Sequence, residues 1–133
     1  LGPTLKLIGQ RLSRRGVIVL ISDCHSAVES AVDGIRHLVA RRHEVVVFHL
    51  LDADEVTFPF TSLANFRDLE TTGQLMTDPM RIRKTYLGRL DEFREAIRAG
   101  CAAAGADYRF IDTSEPLETV LRDYLLFRRQ RSR

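Results

Sequence analysis

The chain switches between two hydrophobic periods, and the switches mark its elements. Leu1, Leu5, Ile8 and Leu12 recur at helical spacing, and Gly16 stands where a C′ glycine would stop that helix. Val17 to Ile21 follow as five consecutive apolar residues, mostly β-branched, which predicts a strand covered on both faces. Val28, Val32, Ile35, Leu38 and Val39 return to the helical period. Ser26-Ala27-Val28-Glu29 just ahead has the S-x-x-E spacing of a capping box. Arg41 and Arg42 close this helix, where cations suit its dipole. Val45 to Leu51, flanked by Glu44 and Asp52, form a second apolar run. Strand, helix and strand in this order predict a right-handed βαβ unit.

No helix signal recurs until Asp78-Pro79, an N-cap followed by proline at the first helical position. A structureless loop of that length is rare inside a compact domain. Residues 65–71 and 74–77 are therefore expected to form a hairpin turning at Thr72-Gly73. Tyr86, Leu90, Phe93, Ile97 and Cys101 share one face of a long helix that Gly105 ends. Tyr108 to Ile111 read as a third strand. Ser114 is placed to cap a last helix, with Pro116 in its first turn and Leu117, Val120, Leu121, Tyr124 and Leu125 on its apolar face. The predicted fold is a single α/β domain over residues 1–133: a parallel sheet with helices on both faces, plus a small β-hairpin insertion. If the strands pair in chain order, the apolar strand Val17–Ile21 lies at an edge, a known liability. Its outer flank is expected to be covered by further strands, by the first helix or by a second copy in a homodimer.

Composition removes several functions. At 133 residues and a net charge of +2, the chain lacks the basic footprint of a nucleic-acid binder. Cys24 and Cys101 supply neither a disulfide framework nor metal spacing, so a cytoplasmic setting is the default. No apolar run is long enough to span a bilayer, and the first residues lack the pattern of a signal peptide. The chain opens on Leu1, which suggests a C-terminal piece of a larger protein. Neither phosphate-cradling glycine motif occurs, and no basic-aromatic platform for single strands is present. The arginine-rich end, residues 128–133, reads as a solvated tail.

Candidate chemistry gathers in Ser22-Asp23-Cys24-His25-Ser26, where a strand gives way to a helix. Ligands of parallel α/β sheets bind at such strand ends. Asp23 is the candidate metal ligand. Asp52, Asp54 and Asp112 lie at or just past the ends of neighbouring strands, and Ser22, Asp23, Asp52 and Asp112 mark a candidate binding rim. Adjacent strands lie about 4.8 Å apart, so Asp23 and Asp52 could share a cation; the alternative is that each carboxylate accepts amides of its own loop. Cys24-His25 suggests an activated thiol at a helix start but has no third, orienting residue. Cys101 and His49 are expected in the core, and His37 and His43 need no role beyond flanking a helix end.

Taken together, His43 through Asp52, Phe66 through Thr71, then Leu75, Asp78, Pro79, Asp107-Tyr108, Thr113 and Glu115 through Leu117 resemble the bacterial family known as domain of unknown function 58. Val19 through Asp23 resemble the fourth-strand signature of von Willebrand factor A domains, to which that family is related. The resemblance implies a half Rossmann-like sheet supplying strands four to six of a 3-2-1-4-5-6 order. It implies that Asp23 matches the one ligand position retained from an adhesion-type magnesium site, since no D-x-S-x-S occurs. Cys24 stands where a bulky apolar residue is more usual, and Arg42 where a glycine is usual. The resemblance further implies a protein-interaction module partnered by a MoxR-type AAA+ ATPase in chaperone-like assembly, without catalysis. The competing reading is a flavodoxin-like or hydrolase-like enzyme using Asp23, Cys24 and His25.

Overall fold

A computed structural model describes residues 1–59, 64–67, 74–77 and 79–131. Its elements run α1 (Gly2–Arg11), β1 (Val17–Ser22), α2 (Val28–Ala40), β2 (Glu44–Leu51), α3 (Ala53–Thr57), β3 (Ala64–Arg67), β4 (Gln74–Thr77), α4 (Pro79–Ala104), β5 (Asp107–Asp112) and α5 (Leu117–Arg131). β1, β2 and β5 form a parallel sheet in that order, with Val17 beside Glu44 and Val46 beside Asp107. β3 and β4 form the expected antiparallel hairpin, Phe66 opposite Leu75. Its turn at Thr72-Gly73 and the Asp78 cap lie outside the described residues.

Period-two alternation divides the sheet into two faces. On the first, Ile18 and Leu20 of β1 and Val45 and Val47 of β2 pack under Leu5 of α1, Ile35 and Leu38 of α2, and Ile97 and Cys101 of α4. On the second, Val46, Phe48 and Ile111 pack against Val120 and Tyr124 of α5, with Phe48 and Tyr124 edge to face at 5.2 Å. Helices therefore cover both faces, as the pattern predicts, and β2 is enclosed along most of its length.

The cover is uneven. Val17, Val19 and Ile21 are 52%, 49% and 63% exposed, so β1 is buried on one face only, contrary to the expectation of a strand covered on both. α5 sits over β2 and β5 and does not extend to β1, and its own Leu117 and Leu125 stay in water. α1 does not fold across the β1 edge either. It packs along α2, where Gly2 and Gly34 let the two backbones meet: a Cβ on Gly34 would lie 2.9 Å from the Gly2 Cα. Lys6 and Asp33 pair across the same contact.

Local chemistry shifts several boundaries. α1 stops at Arg11, and Gly16 serves β1 instead: its N–H donates to His43 Nδ1 at 3.2 Å, and its carbonyl accepts from Glu44. His43 is thus a buried strut between the starts of β1 and β2, a role its sequence position does not advertise. α5 begins at Leu117, because Ser114 is held by Asp112 and does not cap the helix. Gly105 ends α4 at φ 81°, as expected. α5 runs to Arg131, where a solvated tail was expected, and Arg128 pairs with Glu44. Among the described residues no helix is long and apolar enough to cross a membrane.

Candidate functional site

The C-terminal ends of β1, β2 and β5 carry the loops singled out from sequence. After β1 the chain turns sharply. The Ser22 hydroxyl accepts the Cys24 N–H at 3.0 Å, and Asp23 Oδ1 accepts the His25 N–H at 3.0 Å. Cys24 takes a left-handed conformation, φ 55°, which points it inward. It is 1% exposed, whereas Asp23 and His25 face solvent. Cys24 and His25 therefore diverge. Burial, reinforced by the neighbouring Asp23 charge, pushes the Cys24 thiol up to about 11. A thiol so placed is a core group, not a thiolate near neutral pH.

The expected capping box at Ser26 does not form. α2 starts at Val28 with Ala27 as its N-cap and no side-chain cap, and the Ser26 hydroxyl is buried without a hydrogen-bond partner. The box forms instead one loop later. Asp52 Oδ1 accepts the Asp54 N–H at 2.9 Å, and Glu55 reaches back to the Asp52 N–H at 2.9 Å. Asp112 is likewise occupied at home, accepting the Ser114 N–H at 2.8 Å and its hydroxyl at 2.7 Å. These bonds to Ser114 hold its carboxyl below the ordinary value. A long contact, Thr113 Oγ1 to Asp52 Oδ2 at 3.4 Å, links the β2 and β5 loops.

These bonds are those of the second reading of the acidic rim, in which each carboxylate accepts amides of its own loop. Asp52 and Asp112 satisfy amides of their own loops, and Asp54 follows Asp52 into α3. Magnesium needs about six oxygens in near-octahedral order. Among the described residues no three His, Cys, Asp or Glu side chains converge as a metal site requires. Asp23 with its described neighbours does not by itself assemble a magnesium site.

What the fold does assemble is a cleft of about 470 Å³ beside Asp23. Asp23, His25 and Ser26 form one wall, Leu51 and Glu55 the side beneath α3, and Tyr86, Arg89, Leu90 and Phe93 of α4 the other wall. α4 is held there by its own chemistry. Arg83 donates to the carbonyls of Phe58 and Thr57 at 3.1 and 3.0 Å, closing the end of α3, and the Phe58 and Tyr86 rings lie 4.8 Å apart. Partial burial, and then the Glu55 charge, raise the Tyr86 phenol above its ordinary value.

Beneath the cleft, His49 is fully buried, with Nδ1 2.9 Å from the Tyr108 hydroxyl and its ring edge-on to Phe93 at 5.6 Å. Burial lowers its pKa, although the Asp23 carbonyl pulls the other way. His49 and Cys101 are the core residues the pattern predicts. The stripe Tyr86, Leu90, Phe93, Ile97, Cys101 divides: Ile97 and Cys101 are fully buried, while its first three members are half-buried and line the cleft. Sequence spacing could not show that division. Glu55 was findable from the D-x-x-E spacing of the box; Arg89 carries no such signal.

A family model described as "protein of unknown function DUF58" matches residues 1–96, from α1 through most of α4 and including every residue of the cleft. The chain belongs to this family. No curated protein and no solved structure matches it.

Proposed function

We propose that this DUF58-family chain is a protein-interaction module of von Willebrand factor A type that receives a partner protein at the strand C-termini and does no chemistry there. The observation that carries the reading is the cleft between the Asp23 loop and α4. Its apolar floor of Leu51, Leu90 and Phe93 suits a buried side chain, and its rim of Asp23, Glu55 and Arg89 suits polar contacts around it. Tyr86 and Arg89 belong to the residue types that anchor protein interfaces. The family resemblance suggests a MoxR-type AAA+ ATPase as the partner, in chaperone-like assembly.

The test is a calorimetric titration of the chain with a purified MoxR-type ATPase from the same genome. Binding is expected, with the affinity reduced at least tenfold by Tyr86→Ala or Arg89→Glu, a loss in the range of an interface anchor. Binding that neither substitution weakens would move the partner away from the cleft. Absence of binding would remove this partner.

A further inference from the structure

The net charge of +2 is a sum over two opposed ends. Asp23, Asp52, Asp54, Glu55, Asp112 and Glu115 lie at or just past the C-terminal ends of the three parallel strands. Arginines gather where those strands begin. Arg14 and Arg15 lead into β1, and Arg41 and Arg42 lead into β2, whose first residue, Glu44, stands beside Val17. α1 brings Arg11 to the same end: a Cβ on Gly9 would lie 3.5 Å from the Arg41 Cδ. α5 runs back to it from the top of β5. The Tyr124 hydroxyl donates to Asp107 Oδ2 at 3.4 Å, at the start of β5, and Arg128 pairs with Glu44 at the start of β2. Arg129 follows directly.

Arg11, Arg14, Arg15, Arg41, Arg42 and Arg129 are all exposed, and no ion pair among the described residues engages any of them. Glu44 and Asp107, the acids at these strand starts, are occupied by Arg128 and Tyr124. Unpaired guanidinium groups held at one end repel one another and add nothing to the fold. What they create is a positive field directed out of it, suited to an anionic surface.

We infer that this arginine end docks on an anionic phospholipid surface, with Leu126 and Phe127 entering the interface beside the arginines. The apolar side chains discriminate between anionic occupants. Leu126 and Phe127 immediately precede Arg128 and Arg129 and are exposed, as is Leu12 just after Arg11. A nucleic-acid backbone would meet the arginines and leave these three side chains in water. A bilayer takes both, because its headgroup phosphates and carboxylates meet guanidinium groups while apolar side chains enter the headgroup boundary. Docking at the strand starts leaves the cleft, at the strand C-termini, turned away from the lipid and open to a protein partner.

Co-sedimentation with lipid vesicles tests this. The chain is expected to bind phosphatidylcholine vesicles containing about 30% phosphatidylserine, to ignore pure phosphatidylcholine, and to be released as salt rises from about 0.05 M to about 0.3 M. The double variant Arg14→Glu/Arg41→Glu is expected to lower the partition coefficient at least tenfold, since each arginine near such a surface counts severalfold. Arg129→Glu alone, on a different element, should lower it about fivefold. Leu126→Ser should lower it about threefold and leave the salt dependence unchanged. Circular dichroism and melting confirm that each variant is folded; all four side chains are exposed. No binding to the phosphatidylserine vesicles, or binding indifferent to the arginine substitutions, overturns the inference. Tighter binding to a duplex DNA than to the vesicles, unchanged by Leu126→Ser, overturns it in favour of nucleic acid. Neither result bears on the titration of the cleft with the ATPase.

Discussion

His49 Nδ1 lies 2.9 Å from the Tyr108 hydroxyl, joining the middle strand to its neighbour directly under the β1 loop. The pair is buried among rings: Phe93 at 5.6 Å and Phe110 at 6.1 Å from His49, with the Arg94 guanidinium 3.7 Å from the Phe110 centroid. Burial lowers the His49 pKa below 6.5 and raises that of Tyr108 to about 12, so both are neutral in the folded chain.

A pH dependence follows from this burial. The unfolded chain binds a proton at His49 below about 6.5, and the folded chain resists it. The stabilisation from His49 is therefore complete above pH 6.5 and is lost as pH falls from there through the lower folded value. Denaturant melts at pH 7.5 and 5.5 are expected to show a drop. The double variant His49→Phe/Tyr108→Phe removes both partners and should lose less stability with acid. Tyr108→Phe alone leaves Nδ1 of the buried imidazole without its partner and should cost about 1–3 kcal/mol at pH 7.5. An equal acid loss in the double variant would place the titration on another group.

Two glycines of α4 are expected to respond in opposite directions. A Cβ on Gly100 would lie 2.3 Å from Val32 Cγ2, where α4 presses on α2, whereas one on Gly88 meets nothing within 4 Å. Gly100→Ala should destabilise by roughly 1–3 kcal/mol through overpacking. Gly88→Ala should stabilise by about 0.5–1 kcal/mol by removing glycine's cost inside a helix. Chemical denaturation of both variants measures the pair, and a gain at Gly100 would mean that the α2–α4 contact is looser than its geometry.

Arg42 sits just after α2 at φ 64°, a left-handed conformation that disfavours residues with a Cβ. Arg42→Gly is expected to stabilise the chain by about 0.5–1 kcal/mol, the strain relieved exceeding glycine's added entropy loss. This position is the one where the family resemblance led us to expect glycine, and the backbone supplies the reason. Unchanged or lowered stability would show that the Arg42 side chain contributes more than the strain costs.

Cys24 is expected to resist thiol reagents. With its thiol at about 11, roughly one molecule in a thousand carries a thiolate at pH 8, and the sulfur is enclosed. Labelling with an aromatic disulfide reagent should be at least a hundredfold slower in buffer than in denaturant. Rapid native labelling at Cys24 would reopen the reading of Asp23, Cys24 and His25 as a catalytic loop.

Most of the secondary structure was legible because it depends on local spacing. The apolar runs at Val17 and Val45, the long stripe from Tyr86 to Cys101 and the stop at Gly105 each declare an element within a few residues. Caps were less legible, because a capping residue is chosen by competition among nearby acceptors. Ser26 had the right spacing but its hydroxyl turned inward, whereas Asp52 and Glu55 met. The candidate site was legible only on one side. The β1 loop is a strand-end feature that sequence can place, but its opposite wall comes from α4, more than sixty residues away.

The sequence by itself determined the α/β class, the parallel strands, the hairpin and the family, because hydrophobic period and motif spacing are properties of neighbouring residues. Only the tertiary structure decided which apolar residues were spent on the core and which were left over. Identical-looking runs in β1 and β2 ended differently, since β2 acquired a strand on each side and helices on both faces, while β1 acquired one strand and one covered face. Burial depends on what packs against a residue, and that is settled by topology and not by its own side chain.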